Sequence, residues 1–363
     1  MVSYLLGGPI ADRFPPRKLI AIALFSTALG GLVLAAHPSY FVLKVLYGYW
    51  GFTTIFLFWA PIIKATRVWG GNTSQGKAFG FLDGGRGLVG AGFGALGVLI
   101  FSLFIIDKIE TASLANRTEA FNYIVWVTSA IIVSIGIIVW FFLKPSNIEE
   151  HKLQLQKISI NQIKIVLKIP AVWFLMVIIL CAYVGYKITD VFSLYAKEVM
   201  LYNEVRSAQI ATLLLFIRPA VGILIGIIAD KSKTTLWLII SFALSILGAL
   251  LFVSGSIAPN TTFLFLLSIL ITVSGVYAVR SLYFATMQEG HIPLLVTGTA
   301  VGLISLIGYT PDIFAGPLMG VLLDNSPGEL GHQHVFIMLT IFSFIGLLAS
   351  IAFYRLQKKS TSL

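Results

Sequence analysis

Nearly the whole chain divides into apolar stretches about as long as a bilayer-crossing helix, separated by short breaks rich in charge, proline, glycine and asparagine. The stretches run 1–11, 19–36, 40–64, 78–106, 121–143, 169–197, 206–229, 235–255, 261–285, 294–323 and 333–356, and all but the first are long enough to cross. Lipid offers the peptide groups no hydrogen bonds, so a spanning segment must be a helix or part of a closed barrel. The two-residue alternation of a barrel strand is not seen here. Charged residues make up 11% of the 363 residues and hydrophobic ones 58%, whereas a soluble domain carries about 25% charged residues. The chain is therefore expected to be an all-α membrane protein.

Basic residues orient it. Arg13, Arg17 and Lys18, then Lys64, Arg67 and Lys77, the lysines of 144–168, Lys231 and Lys233, and finally Arg355, Lys358 and Lys359 fall in alternate loops. The opposite loops hold only Lys108, Arg117, Lys197 and Arg206. The richer side is the cytoplasmic one, which places the C-terminus inside. The net charge of +10 is thus a topology signal spread over loops, which argues against a nucleic-acid partner.

The segment 144–168, with Pro145, Asn147, Glu149, Glu150 and several lysines, suits a solvated linker. The expected organisation is an N-terminal helical bundle at 1–143, a cytoplasmic linker at 144–168, a six-helix bundle at 169–357 and a tail at 358–363. Overlaying the halves at a shift of 218 residues sets Gly8, Ile10, Ala11 and Asp12 on Gly226, Ile228, Ala229 and Asp230. The same shift sets Gly80, Gly84 and Gly90 on Gly298, Gly302 and Gly308, so the halves read as an internal duplication. In that reading the first helix and most of the second lie before Met1.

The sharpest local pattern is Gly7-Gly8-Pro9-Ile10-Ala11-Asp12-Arg13 followed by Arg17-Lys18. Glycines let helices approach closely. An aspartate at a helix end can accept from a basic residue and from the N-terminus of a neighbouring helix, and Gly8, Asp12, Arg13 and Arg17 are read as a gating latch with Asp230 as its second copy. The pattern resembles the signature loop of the major facilitator superfamily. Two further stretches, Gln75 to Gly87 and Arg280-Ser-Leu-Tyr-Phe-Ala with Gly308-Tyr-Thr-Pro-Asp312 and Leu323 to Gly331, resemble YihN-type bacterial inner-membrane permeases. The resemblance implies two pseudo-symmetric six-helix bundles that carry a solute by alternating access, as a monomer in the bacterial inner membrane.

Ionisable groups at membrane depth are costly and mark candidate transport residues. Arg218, Arg86, Lys187, Tyr186 and Arg280 are the candidate substrate ligands, because an arginine without a fixed partner grips a carboxylate or phosphate through two parallel hydrogen bonds. Asp312 and Asp190 are the candidates for proton coupling. The competing structural pairs are Asp83 with Arg86, Lys187 with Asp190, and Arg218 with Asp190 or Asp312. Arg218, with Arg86, Lys187 or Arg280, favours a small organic anion as the solute, although these four against Asp83, Asp190 and Asp312 nearly cancel and leave only one positive charge. The alternatives are a neutral sugar carried with a proton and a non-transporting sensor with a permease fold. No nucleotide-binding loop or nucleophile-and-base arrangement occurs, so neither an enzyme nor a cofactor is expected. The single cysteine, Cys181, lies in an apolar run and no metal site is expected; none of the five histidines is read as deep in a span, His37, His332 and His334 falling in outer segments and His151 and His291 in cytoplasmic ones.

Overall fold

The computed structural model describes residues 1–104, 113–143 and 160–361. Its helices are α1 (Val2–Arg13), α2 (Pro16–Ala35), α3 (Tyr40–Gly51), a π-helical segment (Phe52–Trp59), α4 (Ala60–Gly70), α5 (Gln75–Phe104) and α6 (Leu114–Phe142). They continue with α7 (Ile160–Leu167), α8 (Pro170–Ile188), α9 (Val191–Glu198), α10 (Glu204–Ala229), α11 (Thr234–Val253), α12 (Thr262–Leu282), α13 (Thr297–Gly308), α14 (Pro311–Asn325) and α15 (Glu329–Thr361). Among the described residues ten spans are long and apolar enough to cross a membrane, beginning with Pro16–Ala35. Their outer faces are apolar: Phe41, Val98, Phe142 and Leu224 are among many large hydrophobic side chains left exposed, which suits lipid and not water.

Local chemistry sets the helix ends. Proline opens α2, α8 and α14, where its missing N–H costs nothing. Ser113 accepts from Asn116 N at the start of α6, and Asn203 from Arg206 N at the start of α10, each relieving an orphan donor. Within the spans, Ser241, Ser245 and Thr272 donate back to the carbonyl one turn earlier, so their hydroxyls are satisfied without water.

The chain forms two compact units. The first comprises Met1–Val68, the described part of Val89–Lys164, and Leu294–Gly302; its most closely packed pair is α2 with α6. The second comprises Trp69–Leu88, Ile165–Pro293 and the described part of Leu303–Leu363. There α11 packs on α12 through small residues: a Cβ on Gly275 would lie 2.5 Å from the Ser241 carbonyl, and one on Gly248 would lie 2.6 Å from Thr272 N. An aromatic core of Phe192, Tyr195, Phe252, Phe265 and Phe336 fills the same unit, with the Phe252 and Phe336 rings stacked at 4.2 Å.

Within the stretch read as linker, Ile160–Leu167 is helix α7, while 144–159 lie outside the described residues. His332 lies in the first turn of α15, not deep in its span, and is fully buried there, its Nε2 2.9 Å from Glu198 Oε2 and its ring edge-on to Tyr195. One sequence expectation changes, the register of the repeat. Gly8 lies against the Gly298 backbone as Gly226 lies against that of Gly76, and Gly302 meets the Tyr4 carbonyl as Gly80 meets that of Gly222. Gly298 therefore takes the part of Gly76 and Gly302 that of Gly80, at a shift of 222 residues. Glycines recurring every four residues look alike after a slip of one helical turn, which is why a single shift of 218 fits the letters and not the contacts.

Candidate functional site

The second unit gathers the three candidate arginines around one carboxylate. Asp83, on the third turn of α5, is 93% buried at its side chain and accepts from two arginines of other helices. Arg218 on α10 approaches with Nη2 at 2.9 Å from Oδ1 and Nε at 3.4 Å from Oδ2. Arg280 on α12 places Nε 3.2 Å from Oδ1, and Ser281 Oγ lies 3.4 Å from Oδ2. Arg86, three residues along α5, adds a third positive charge near the carboxylate and acts more weakly than the other two.

Tyrosines of α8 wrap the arginines. Arg218 Nη1 donates to Tyr186 Oη at 3.3 Å, and the Arg280 guanidinium lies over the Tyr186 ring at 3.7 Å. Such a contact in a dry setting contributes about 2 kcal/mol and holds the guanidinium plane in place. Tyr183 stacks on Tyr186 at 5.7 Å and meets Tyr309 edge-on at 4.7 Å, and the Tyr309 and Tyr283 hydroxyls are 3.0 Å apart. Arg280 Nη1 is buried and finds no hydrogen-bond partner among the described residues.

A second pair stands nearer solvent. Lys187 Nζ lies 2.9 Å from Asp312 Oδ1, and Tyr183 Oη donates to both oxygens of the same carboxylate at 3.1 and 3.3 Å. Side-chain exposure falls from 49% at Asp312 through 30% at Lys187 and 15% at Arg218 to 7% at Asp83 and 5% at Arg280. The cluster thus grows less exposed from the Asp312–Lys187 pair to the two arginines and Asp83. Backbone breaks shape it: α8 gives way to α9 at Thr189 and Asp190, and α13 to α14 at Tyr309 and Thr310.

The three structural pairs weighed in the sequence are replaced. Asp83 reaches Arg218 and Arg280 on other helices, so Arg86 is not its principal partner. Lys187 pairs with Asp312 and not with Asp190, which is exposed at the start of α9 where Lys187 still acts on its charge. Arg218 takes Asp83 in place of Asp190 or Asp312. A pair three apart on one helix is the nearest in sequence, but long side chains on packed helices find partners that no spacing shows. Tyr183 was missed because a hydroxyl in an apolar run carries no distinctive pattern, and Ser281 and Tyr283, though inside the stretch that opens on Arg280, were not singled out as site residues.

The aspartates of the repeat cap helices. Asp12, outside the ten candidate spans, accepts from Gly298 N at 2.7 Å, Thr299 N at 2.8 Å and Thr299 Oγ1 at 2.7 Å at the start of α13. Lys64 Nζ lies 4.0 Å from its Oδ1 and donates to the Ala11 carbonyl at 3.1 Å, while Arg67 Nη1 donates to Thr297 Oγ1 at 2.8 Å. Burial lifts the Asp12 carboxyl to about 6, outweighing the pull of Lys64 and of the Thr299 and Gly298 donors. Asp230 repeats the arrangement with two donors, Gly76 N at 2.7 Å and Lys77 N at 2.9 Å, at the start of α5. Arg13 is exposed with its guanidinium over the Phe14 ring, and Arg17 is half-buried. Lys64 and Arg67, read from sequence as loop charges, are buried and belong to the Asp12 cluster.

The profile of the Major Facilitator Superfamily matches residues 1–315. The chain is 28% identical to the inner membrane protein YqcE of Escherichia coli, over 100% of this chain and 84% of that protein. It is 26% identical to the inner membrane protein YihN of the same organism, over 96% and 82%. Among solved structures, the fucose:proton symporter FucP of Escherichia coli aligns with a TM-score of 0.68 at 14% identity, covering 95% of this chain and 87% of that one.

Proposed function

Because the chain belongs to the major facilitator superfamily, and is accordingly a multi-pass secondary transporter of the inner membrane and not an enzyme, we propose that its solute is a small organic anion held by Arg218 and Arg280 and moved by alternating access. The observation that carries this reading is the sharing of Asp83 by two arginines, one of which keeps a buried N–H without a partner. Two guanidiniums on one carboxylate leave positive charge and directed donors at the least exposed end of the cluster. A carboxylate, sugar acid or phosphorylated metabolite supplies the missing acceptors.

Lys187, Tyr186 and Arg86 complete the ligand set: Tyr186 orients both arginines, Lys187 stands at the entrance, and Arg86 adds charge behind Asp83. Asp190 and Asp312 are both more exposed than Asp83. The chain is read as a monomer with its C-terminus in the cytoplasm. The Asp12 and Asp230 helix caps, with Gly8 beside Gly298, support a gating role for the repeated motif, the Asp230 copy being the weaker because it holds fewer donors. A neutral sugar carried with a proton is the second reading, favoured by the four tyrosines around the arginines, whose rings and hydroxyls suit a polyol.

Uptake of labelled gluconate, glucuronate, glycerol 3-phosphate and fucose into proteoliposomes separates the two. Saturable anion uptake that Arg218→Ala abolishes supports the first. Fucose uptake indifferent to that substitution overturns it.

A further inference from the structure

Asp83 occupies the acceptor position that an incoming anion would need. Its two oxygens hold the Arg218 Nη2 and Nε donors and the Arg280 Nε donor, and an anion that starts on the unpartnered Arg280 Nη1 and grips both arginines through two parallel hydrogen bonds takes these donors from it. If the solute engages both arginines, Asp83 keeps only Ser281 Oγ at 3.4 Å and the weaker field of Arg86. A carboxylate with a side chain 93% buried cannot stay ionised there cheaply, because a buried charge stripped of its partners is neither solvated nor paired. Taking up a proton removes that cost.

We propose that Asp83 is the proton carrier of an anion:proton symport, protonated as the anion takes Arg218 and Arg280 from it. The proposal rests on the anion reading above and moves the coupling role from Asp312 and Asp190 to Asp83. One anion and one proton enter; the anion pairs with the guanidiniums and the proton bonds to an Asp83 oxygen. On the other side the anion leaves, Asp83 releases the proton, and its carboxylate takes the two arginines back. The arginine pair is therefore never without an acceptor, and the site passes no net charge for a monoanion.

The groups facing Asp83 are Arg218 from α10, Arg280 and Ser281 from α12, and Arg86 on its own helix, with Tyr186 of α8 joined to Arg218. None of these neighbours among the described residues is a second carboxylate. Asp312 differs in each respect: it is half-exposed, and Lys187 and Tyr183 bind it at a distance from the arginine donors.

The test is accumulation of labelled gluconate and glycerol 3-phosphate in proteoliposomes under an inward proton gradient, beside anion counterflow without a gradient. For one proton per anion, each pH unit of gradient supports an accumulation ratio of about tenfold. The wild-type chain is expected to follow that ratio. Asp83→Asn is expected to lose accumulation while counterflow persists at an altered rate, because a neutral amide leaves the arginines to the anion but carries no proton. Asp83→Glu, which keeps the carboxyl, is expected to retain both.

Accumulation that survives in Asp83→Asn, or that is lost in Asp312→Asn instead, overturns the proposal and leaves the anion reading standing. Loss of both activities in Asp83→Asn with both kept in Asp83→Glu makes Asp83 a fixed structural counter-ion and overturns it as well. Loss of accumulation in Asp83→Glu with counterflow intact has the same meaning. Absence of any anion uptake by the wild-type chain, with fucose taken up, sinks the anion reading and the proposal with it.

Discussion

Arg218 Nη2 and Asp83 Oδ1 lie 2.9 Å apart across 135 residues of sequence, joining α10 to the start of α5. The same oxygen is 3.2 Å from Arg280 Nε. Removing Arg218 therefore does not strand Asp83, which keeps a second guanidinium.

Arg218→Ala is accordingly expected to fold and to lose function. Anion uptake in proteoliposomes should fall by about 100-fold, the cost of a two-point ionic grip at 2–3 kcal/mol. Arg218→Lys should recover part of it, since an ammonium keeps the charge and not the fork. Equal uptake by the wild-type chain and Arg218→Ala would remove the arginine from the site.

The Asp12 cap should respond to pH. Its carboxyl titrates at about 6 when buried at the N-terminus of α13, against the model-compound value of 3.8. The raised value means the capped form binds a proton more tightly than a solvated Asp12 does. Its contribution to stability is fully present below 3.8 and is lost as pH rises through about 6, with a span of about 3 kcal/mol. Hydrogen exchange at the amides of Gly298 and Thr299 should accordingly slow as the pH falls from 7 to 5, after correction for the intrinsic rate. In Asp12→Asn that dependence should vanish; a wild-type slope that persists in the variant would assign it to another group.

Glycines at the close approaches should not tolerate a methyl group. A Cβ on Gly80 would sit 2.5 Å from the Gly222 carbonyl oxygen, a backbone atom with little room to yield. Gly80→Ala is expected to cost about 1–3 kcal/mol by overpacking. Gly90, on the same helix, has nothing within 4 Å of such a Cβ, and Gly90→Ala should be neutral or slightly stabilising, since alanine is the better helix former. Melting of the two variants in detergent measures the contrast, and equal melting temperatures would contradict it.

The Lys187–Asp312 pair should matter little for stability despite its 2.9 Å separation. With 30% and 49% of the side chains exposed, solvent screens the attraction, and a double-mutant cycle of Lys187→Met and Asp312→Asn should return a coupling of about 0–1 kcal/mol. A coupling several times larger would mean that the pair is dry when the protein sits in lipid.

The number and positions of the membrane-crossing spans were legible in the sequence because lipid imposes a length and a hydrophobicity on every crossing, and both are written locally. So was the Asp12 motif, whose predicted use of a basic residue and a neighbouring helix N-terminus corresponds to Lys64 and to the Gly298 and Thr299 amides. Arg218 and Arg280 stood out for the same reason: a charge in an apolar run has to be accounted for.

What the sequence left open was which charges meet. Asp83 has Arg86 one turn away yet takes Arg218 and Arg280, 135 and 197 residues distant, and Lys187 passes over Asp190 for Asp312. The glycine register slipped by one turn for a related reason, since the four-residue spacing is satisfied equally by neighbouring turns. Spans and caps depend on properties of one segment, which sequence records directly. Partners depend on how helices pack side by side, and only the tertiary structure decides that, because a buried charge pairs with whatever opposite charge packing brings within a few ångströms.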